Sequence, residues 1–134
     1  MAVKVLLDAN AYRLAAEGHP QVSAFVQGAE EVYLSVIVLG ELLYGFRWGT
    51  RFEANMDRLQ AFLRAPGTSV VAVGQSTAER YGRIAAALRA KGRPIPTNDI
   101  WIAAHAVETD AELVSADAHF EHVDGLAWTR VTAG

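Results

Sequence analysis

At 134 residues, 51% of them hydrophobic and 20% charged, the chain has the size and composition of one folded domain able to bury its own core. It has no cysteine, which excludes thiol catalysis, Cys-ligated zinc and a disulfide framework and accords with a reducing, cytoplasmic setting. The net charge of −3 is unevenly spread: residues 47–93 carry nine of the twelve Lys and Arg against Glu53, Asp57 and Glu79, a net +6 beside a remainder of −9. That distribution suits a protein whose acidic site binds cations while its flank attracts a polyanion, although arginines on amphipathic helices are also ordinary solvated faces.

The opening MAVKVLLDAN meets an acid after a few apolar residues and lacks the design of a signal peptide. Val3 to Leu7 reads as a buried strand with Asp8 at its carboxyl end. His19-Pro20 begins a helix through about Gln27, with Pro20 in the tolerated first turn. Glu31 to Ser35 is a second strand, and Val36 to Trp48 a helix apolar on nearly every side, which predicts burial between layers. The longest mainly apolar run, Val32 to Phe46, is too short to span a membrane and carries Glu41. Met56, Leu59, Phe62 and Leu63 mark a helix from Glu53 to Arg64, stopped by Ala65-Pro66-Gly67. Ser69 to Val73 is a third strand. Gln75 to Lys91 is a long helix closed at Gly92, and Arg93 to Pro96 cannot continue it. Thr97 or Asn98 caps the next helix, which runs to about Thr109; Glu112 to Ser115 and Leu126 to Arg130 are the last strands. Strands separated by helices predict an α/β fold with a mainly parallel sheet of four to five strands and helices on both faces.

Ligands of parallel sheets gather beyond the carboxyl ends of the strands, where Asp8 and Asp117 both fall. Glu41 lies within Val-Ile-Val-Leu-Gly-Glu-Leu-Leu-Tyr, where a lone ionised carboxylate is heavily desolvated and needs compensation. Asp99 starts an otherwise apolar helix. Four converging carboxylates must take up protons or a cation, and all-oxygen ligands favour Mg²⁺ or Mn²⁺ over zinc or copper. Such a site suits phosphodiester hydrolysis.

These residues resemble the PIN-domain family, in particular the VapC-like toxins of toxin–antitoxin pairs, over nearly the whole chain. Leu-Leu-Asp8-Ala-Asn10 is similar to the family's first motif, Gly40-Glu41-Leu42 to its second, Asn98-Asp99-Ile-Trp-Ile-Ala-Ala to its third, and Leu113-Val-Ser115-Ala-Asp117-Ala-His-Phe120 to its fourth. Ser115 stands where the family often has threonine, and Ala9 where it often has a hydroxyl residue. The resemblance implies a single PIN domain over 1–134 and a Mg²⁺- or Mn²⁺-dependent endoribonuclease with Asp8, Glu41, Asp99 and Asp117 as metal-holding catalytic acids. It also implies an RNA substrate, a homodimer and a small antitoxin partner.

Asn10, Asn98 and Ser115 are expected to support the acids, and Arg47, Arg51 and Arg93 to touch RNA or antitoxin, with turns, caps and solvated faces as the competing roles. Each acid also has a structural role open to it: Asp8 and Asp117 can cap turns, Asp99 can complement a helix dipole, and Glu41 can pair with Arg47. His119 and His122 read as solvated loop histidines outside the site, and His105 as packing. Trp101 reads as core or dimer interface. Two rivals are a silent PIN-like scaffold that dimerises or binds RNA, and a receiver-like signalling domain. The receiver pattern expects paired acids near the first strand, an acceptor Asp after the third and a lysine near the last, whereas Gly74 follows the third and no Lys lies beyond Lys91.

Overall fold

In the computed structural model, which describes residues 3–132, the first apolar run forms β1 (Lys4–Leu7) with Val5, Leu6 and Leu7 fully buried. Asp8 leaves the strand and caps α1 (Ala9–Ala16), accepting from the Ala11 N–H at 2.8 Å. No helix was expected there. His19 caps α2 (Pro20–Gly28), β2 follows at Glu31–Ser35, and the Ser35 hydroxyl caps α3 (Val36–Trp48) through the Ile37 N–H at 3.1 Å. Next come α4 (Phe52–Arg64), β3 (Thr68–Val71), α5 (Gln75–Ala90), α6 (Thr97–Thr109), β4 (Glu112–Ser115), a short 3₁₀ helix over Ala118–His122, and β5 (Trp128–Arg130).

Sequence expectations and structure differ at several ends. The third and last strands are shorter than the apolar runs around them. Pro96 stands at the N-cap of α6 with no side-chain cap, so neither Thr97 nor Asn98 plays that part. Gly67 is required in the turn before β3: its φ is +80°, and a Cβ there would sit 2.6 Å from the Glu30 carbonyl oxygen.

All five strands are parallel, in the order β3-β2-β1-β4-β5. The buried central strands satisfy one another's backbone groups while helices supply the apolar cover, which is why these strands read as near-continuous apolar runs. Leu7 pairs with Leu34 on one side and Val114 on the other, so Asp8, Ser35 and Ser115 emerge at one level along the carboxyl edge. Behind that edge His105, fully buried on α6, contacts the Ser35 hydroxyl at 2.8 Å and the Ala72 carbonyl at 3.1 Å. It ties α6 to the ends of β2 and β3, the packing role its position suggested. Tyr81 and Trp101 stack at 4.1 Å between α5 and α6.

The expected burial of α3 between layers is corrected. Val38, Leu42 and Phe46 face the core, but Val36, Tyr44 and Trp48 are 37%, 72% and 84% exposed. With Gly40 they recur at i+4 spacing, a single outward stripe. The helix is apolar all round because it has two apolar surfaces, only one of which its own chain covers.

Candidate active site

Four acids gather where the strand register brings the carboxyl edge together. Asp8, 7% exposed, accepts from the Ala11 N–H with Oδ1 and from the Ser115 hydroxyl with Oδ2. The same Ser115 oxygen accepts from the Asp117 N–H at 2.9 Å, so one hydroxyl at the end of β4 orients the first acid and the loop that carries the fourth. Asp117 caps the 3₁₀ helix through the His119 N–H at 2.9 Å. Capping and a role at the site are therefore compatible for both Asp8 and Asp117, since each carboxylate oxygen can accept more than one hydrogen bond.

Asp99, in the first turn of α6, meets His119 Nδ1 through Oδ2 at 2.9 Å, and the same nitrogen lies 3.1 Å from Asp117 Oδ2. Ligating atoms of Asp99, Asp117 and His119 lie within 4.8 Å of one another. His119 was expected to be a solvated loop histidine outside the site; the structure instead sets it against Asp99 and Asp117. The available signal was its position two residues after Asp117, in a turn that Asp117 itself caps.

Glu41 is half-buried on α3 and lines a shallow pocket with Asn98. Its nearest cationic influence is Arg13 of α1, not Arg47, which is exposed and lies over the Phe52 ring at 4.7 Å. Arg13 also donates to the Asn10 side chain at 3.3 Å. Arg51 and Arg93 are exposed. Ser115 thus touches an acid directly, Asn98 lies beside Glu41, and Asn10 touches Arg13.

Electrostatics couple the group. Burial pushes Asp8 above the ordinary carboxylate range, opposed by the hydrogen bonds from Ser115 and Ala11 and reinforced by the charges of Asp99 and Asp117. Burial also raises Asp99, with His119 opposing and Asp117 reinforcing, and raises Glu41, with Asn98 and Arg13 opposing and Asp99 reinforcing. The charge of Asp99 acts on both Asp8 and Glu41. Raised carboxylates that repel one another are the condition a divalent cation relieves. The donor set of carboxylate oxygens with one imidazole nitrogen at the open side fits a hard or borderline divalent ion; Asp99, Asp117 and His119 are close enough together to share one, with Asp8 and Glu41 as the neighbouring acids.

The PIN-domain family profile matches residues 5–126, which spans all four acids. The chain belongs to the PIN-domain family. Among PIN-domain relatives it is 32% identical over 127 residues to ribonuclease VapC2 of Haemophilus influenzae, covering 92% of this chain and 95% of that protein. It is 28% identical over 100 residues to ribonuclease VapC1 of the same species, covering 74% of this chain and 73% of that protein. In three dimensions it is similar to the crystal structure of VapBC2 from Rickettsia felis bound to a DNA fragment from their promoter, with a TM-score of 0.82 and 26% identity over 96% of this chain and 98% of that one. Membership in the PIN-domain family, with its parallel sheet and acids at the carboxyl edge, sets the receiver-like reading aside. Among the described residues no helix is long and apolar enough to cross a membrane.

Proposed function

We propose that this chain is a single PIN domain acting as the ribonuclease toxin of a type II toxin–antitoxin pair, cleaving RNA phosphodiester bonds with Mg²⁺ or Mn²⁺. The observation that carries the reading is the meeting of Asp99, Asp117 and His119 within 4.8 Å, with Asp8 and Glu41 both in the field of Asp99. The curated relatives are named ribonucleases, which supports the same chemistry here.

When bound, the cation supplies Lewis acidity at the phosphate and lowers the pKa of the attacking water. The chain's residues do the rest. Asp8 is held rigid by its two hydrogen bonds, and Ser115 keeps Asp117 in step with it. Asn98 stands beside Glu41, and His119 braces Asp99 against Asp117. RNA approaches from the basic flank, with Arg47, Arg51 and Arg93 as candidate phosphate or antitoxin contacts. The likeness to VapBC2 supports an antitoxin partner, the outward stripe of α3 supports a homodimer, and the absence of cysteine suits a cytoplasmic site of action.

The deciding experiment is induced expression in a bacterial host of the wild type and of Asp99→Asn, with growth followed and new RNA ends mapped across all transcripts. Growth arrest with discrete new ends for the wild type alone supports the nuclease toxin. Well-expressed, soluble wild type that produces no new ends favours the silent dimerising or RNA-binding scaffold.

A further inference from the structure

A cleft of 240 Å³ opens between α1, α3 and α4, lined by Tyr12, Arg13, Glu17, Gly45, Asn55 and Arg58 among others. Its lining is unlike that of the acid cluster, with two arginines to one glutamate. Neither Arg13 nor Arg58 forms an ion pair with any described residue. Gly45 leaves room for Arg13, because a Cβ there would come within 3.3 Å of the guanidinium Nη2.

Tyr12 supplies an independent observation. It is 3% exposed, its ring packs edge-on to Phe62 at 5.2 Å, and its buried hydroxyl has no hydrogen-bond partner among the described residues. The residue lines both this cleft and an adjoining one of 210 Å³, and Arg58 is the cation whose field reaches the phenol. A buried hydroxyl is ordinarily satisfied, so one that is not, beside two guanidiniums that form no ion pair among the described residues, marks a place for an acceptor brought from outside.

The cleft lies next to the acids. Arg13 touches Asn10, two residues beyond Asp8, and acts on Glu41, while Gly45 is one helical turn beyond Glu41 on α3. A turn advances roughly 5.4 Å, the order of a nucleotide step. We propose that Tyr12, Arg13 and Arg58 form a subsite for an RNA backbone phosphate flanking the one that is cleaved. The subsite rests on the ribonuclease reading and extends it: Arg13 and Arg58 neutralise the phosphate, the Tyr12 hydroxyl donates to it, and the strand is thereby registered against the acids without base contacts.

The test uses a fluorescent random-sequence single-stranded RNA oligonucleotide, bound in chelator to the Asp99→Asn protein so that no cleavage intervenes. Arg58→Gln should weaken binding about tenfold and lower the salt slope of log affinity by about one. Tyr12→Phe keeps the ring on Phe62 and should weaken binding about threefold to tenfold with no change of slope. Thermal unfolding checks that both variants fold. Unchanged affinity and slope in Arg58→Gln, or unchanged affinity in Tyr12→Phe, overturns the subsite. Selective loss of affinity for a co-expressed antitoxin, with RNA binding intact, overturns it in favour of a protein contact. Failure of the ribonuclease reading is distinct: otherwise wild-type protein with Mg²⁺ or Mn²⁺ leaves cellular RNA uncut.

Discussion

One ring nitrogen of His119 joins two acids, lying 2.9 Å from Asp99 Oδ2 and 3.1 Å from Asp117 Oδ2. The hydrogen bond to Asp99 raises the imidazole above its ordinary 6.5, with the charges of both aspartates adding to the rise and desolvation opposing. A raised histidine stabilises the fold fully below 6.5 and ceases to do so as pH climbs through the raised value. In metal-free protein, NMR titration should place His119 above 6.5, and Asp99→Asn should return it towards that value. An identical titration in both proteins refutes the contact.

Loss of Asp8 or Asp99 should abolish cleavage while the fold survives. Asp8→Asn retains an oxygen for the Ala11 cap and removes a desolvated charge, so metal-free Asp8→Asn should melt a few degrees higher than wild type. Cleavage should fall on the order of a hundredfold or more in either variant. Retained cleavage with metal present eliminates the proposed site.

Ser115→Ala removes the hydroxyl that orients both Asp8 and the Asp117 backbone. Groups that hold metal-binding carboxylates in place are typically worth about 10–100-fold in metal affinity or activity, and that is the loss expected by calorimetric Mn²⁺ titration. Ser115→Thr should restore most of it, since it keeps the hydroxyl.

Metal removal should cost stability as well as activity. Repelling carboxylates are relieved when a cation binds, so Mn²⁺ at about a hundred times its Kd should add about 2.7 kcal/mol and raise the melting temperature by several degrees. Asp99→Asn should lose most of that increment. A melting temperature indifferent to Mg²⁺ and Mn²⁺ eliminates the metal mechanism.

The outward stripe of α3 should govern self-association. Trp48→Glu places a charge on a residue 84% exposed, so folding should be unaffected while light scattering reports a shift from dimer to monomer. A wild type that is monomeric throughout, or a variant that remains dimeric, removes α3 from the interface.

Much of this was legible in the sequence because it is local. The readings of Glu31–Ser35, Val36–Trp48 and Glu112–Ser115 match the observed bounds of β2, α3 and β4, and Asp8 and Asp117 could be placed at or just past strand ends by counting from apolar runs that must be buried. The first helix escaped notice because Ala9–Ala16 has few large apolar residues to mark a stripe; its start depends on an Asp8 cap, a feature shared with any turn. What tertiary structure alone decided involves partners far apart in the chain. The Ser115–Asp8 hydrogen bond joins residues 107 positions apart, and His119 reaches Asp99 across 20. Which arginine senses Glu41, which face of an all-round apolar helix is covered, and which histidine enters the site all follow from strand order and helix packing. Composition and spacing specify what each segment buries, but only the closed sheet determines which side chains meet once it has been buried.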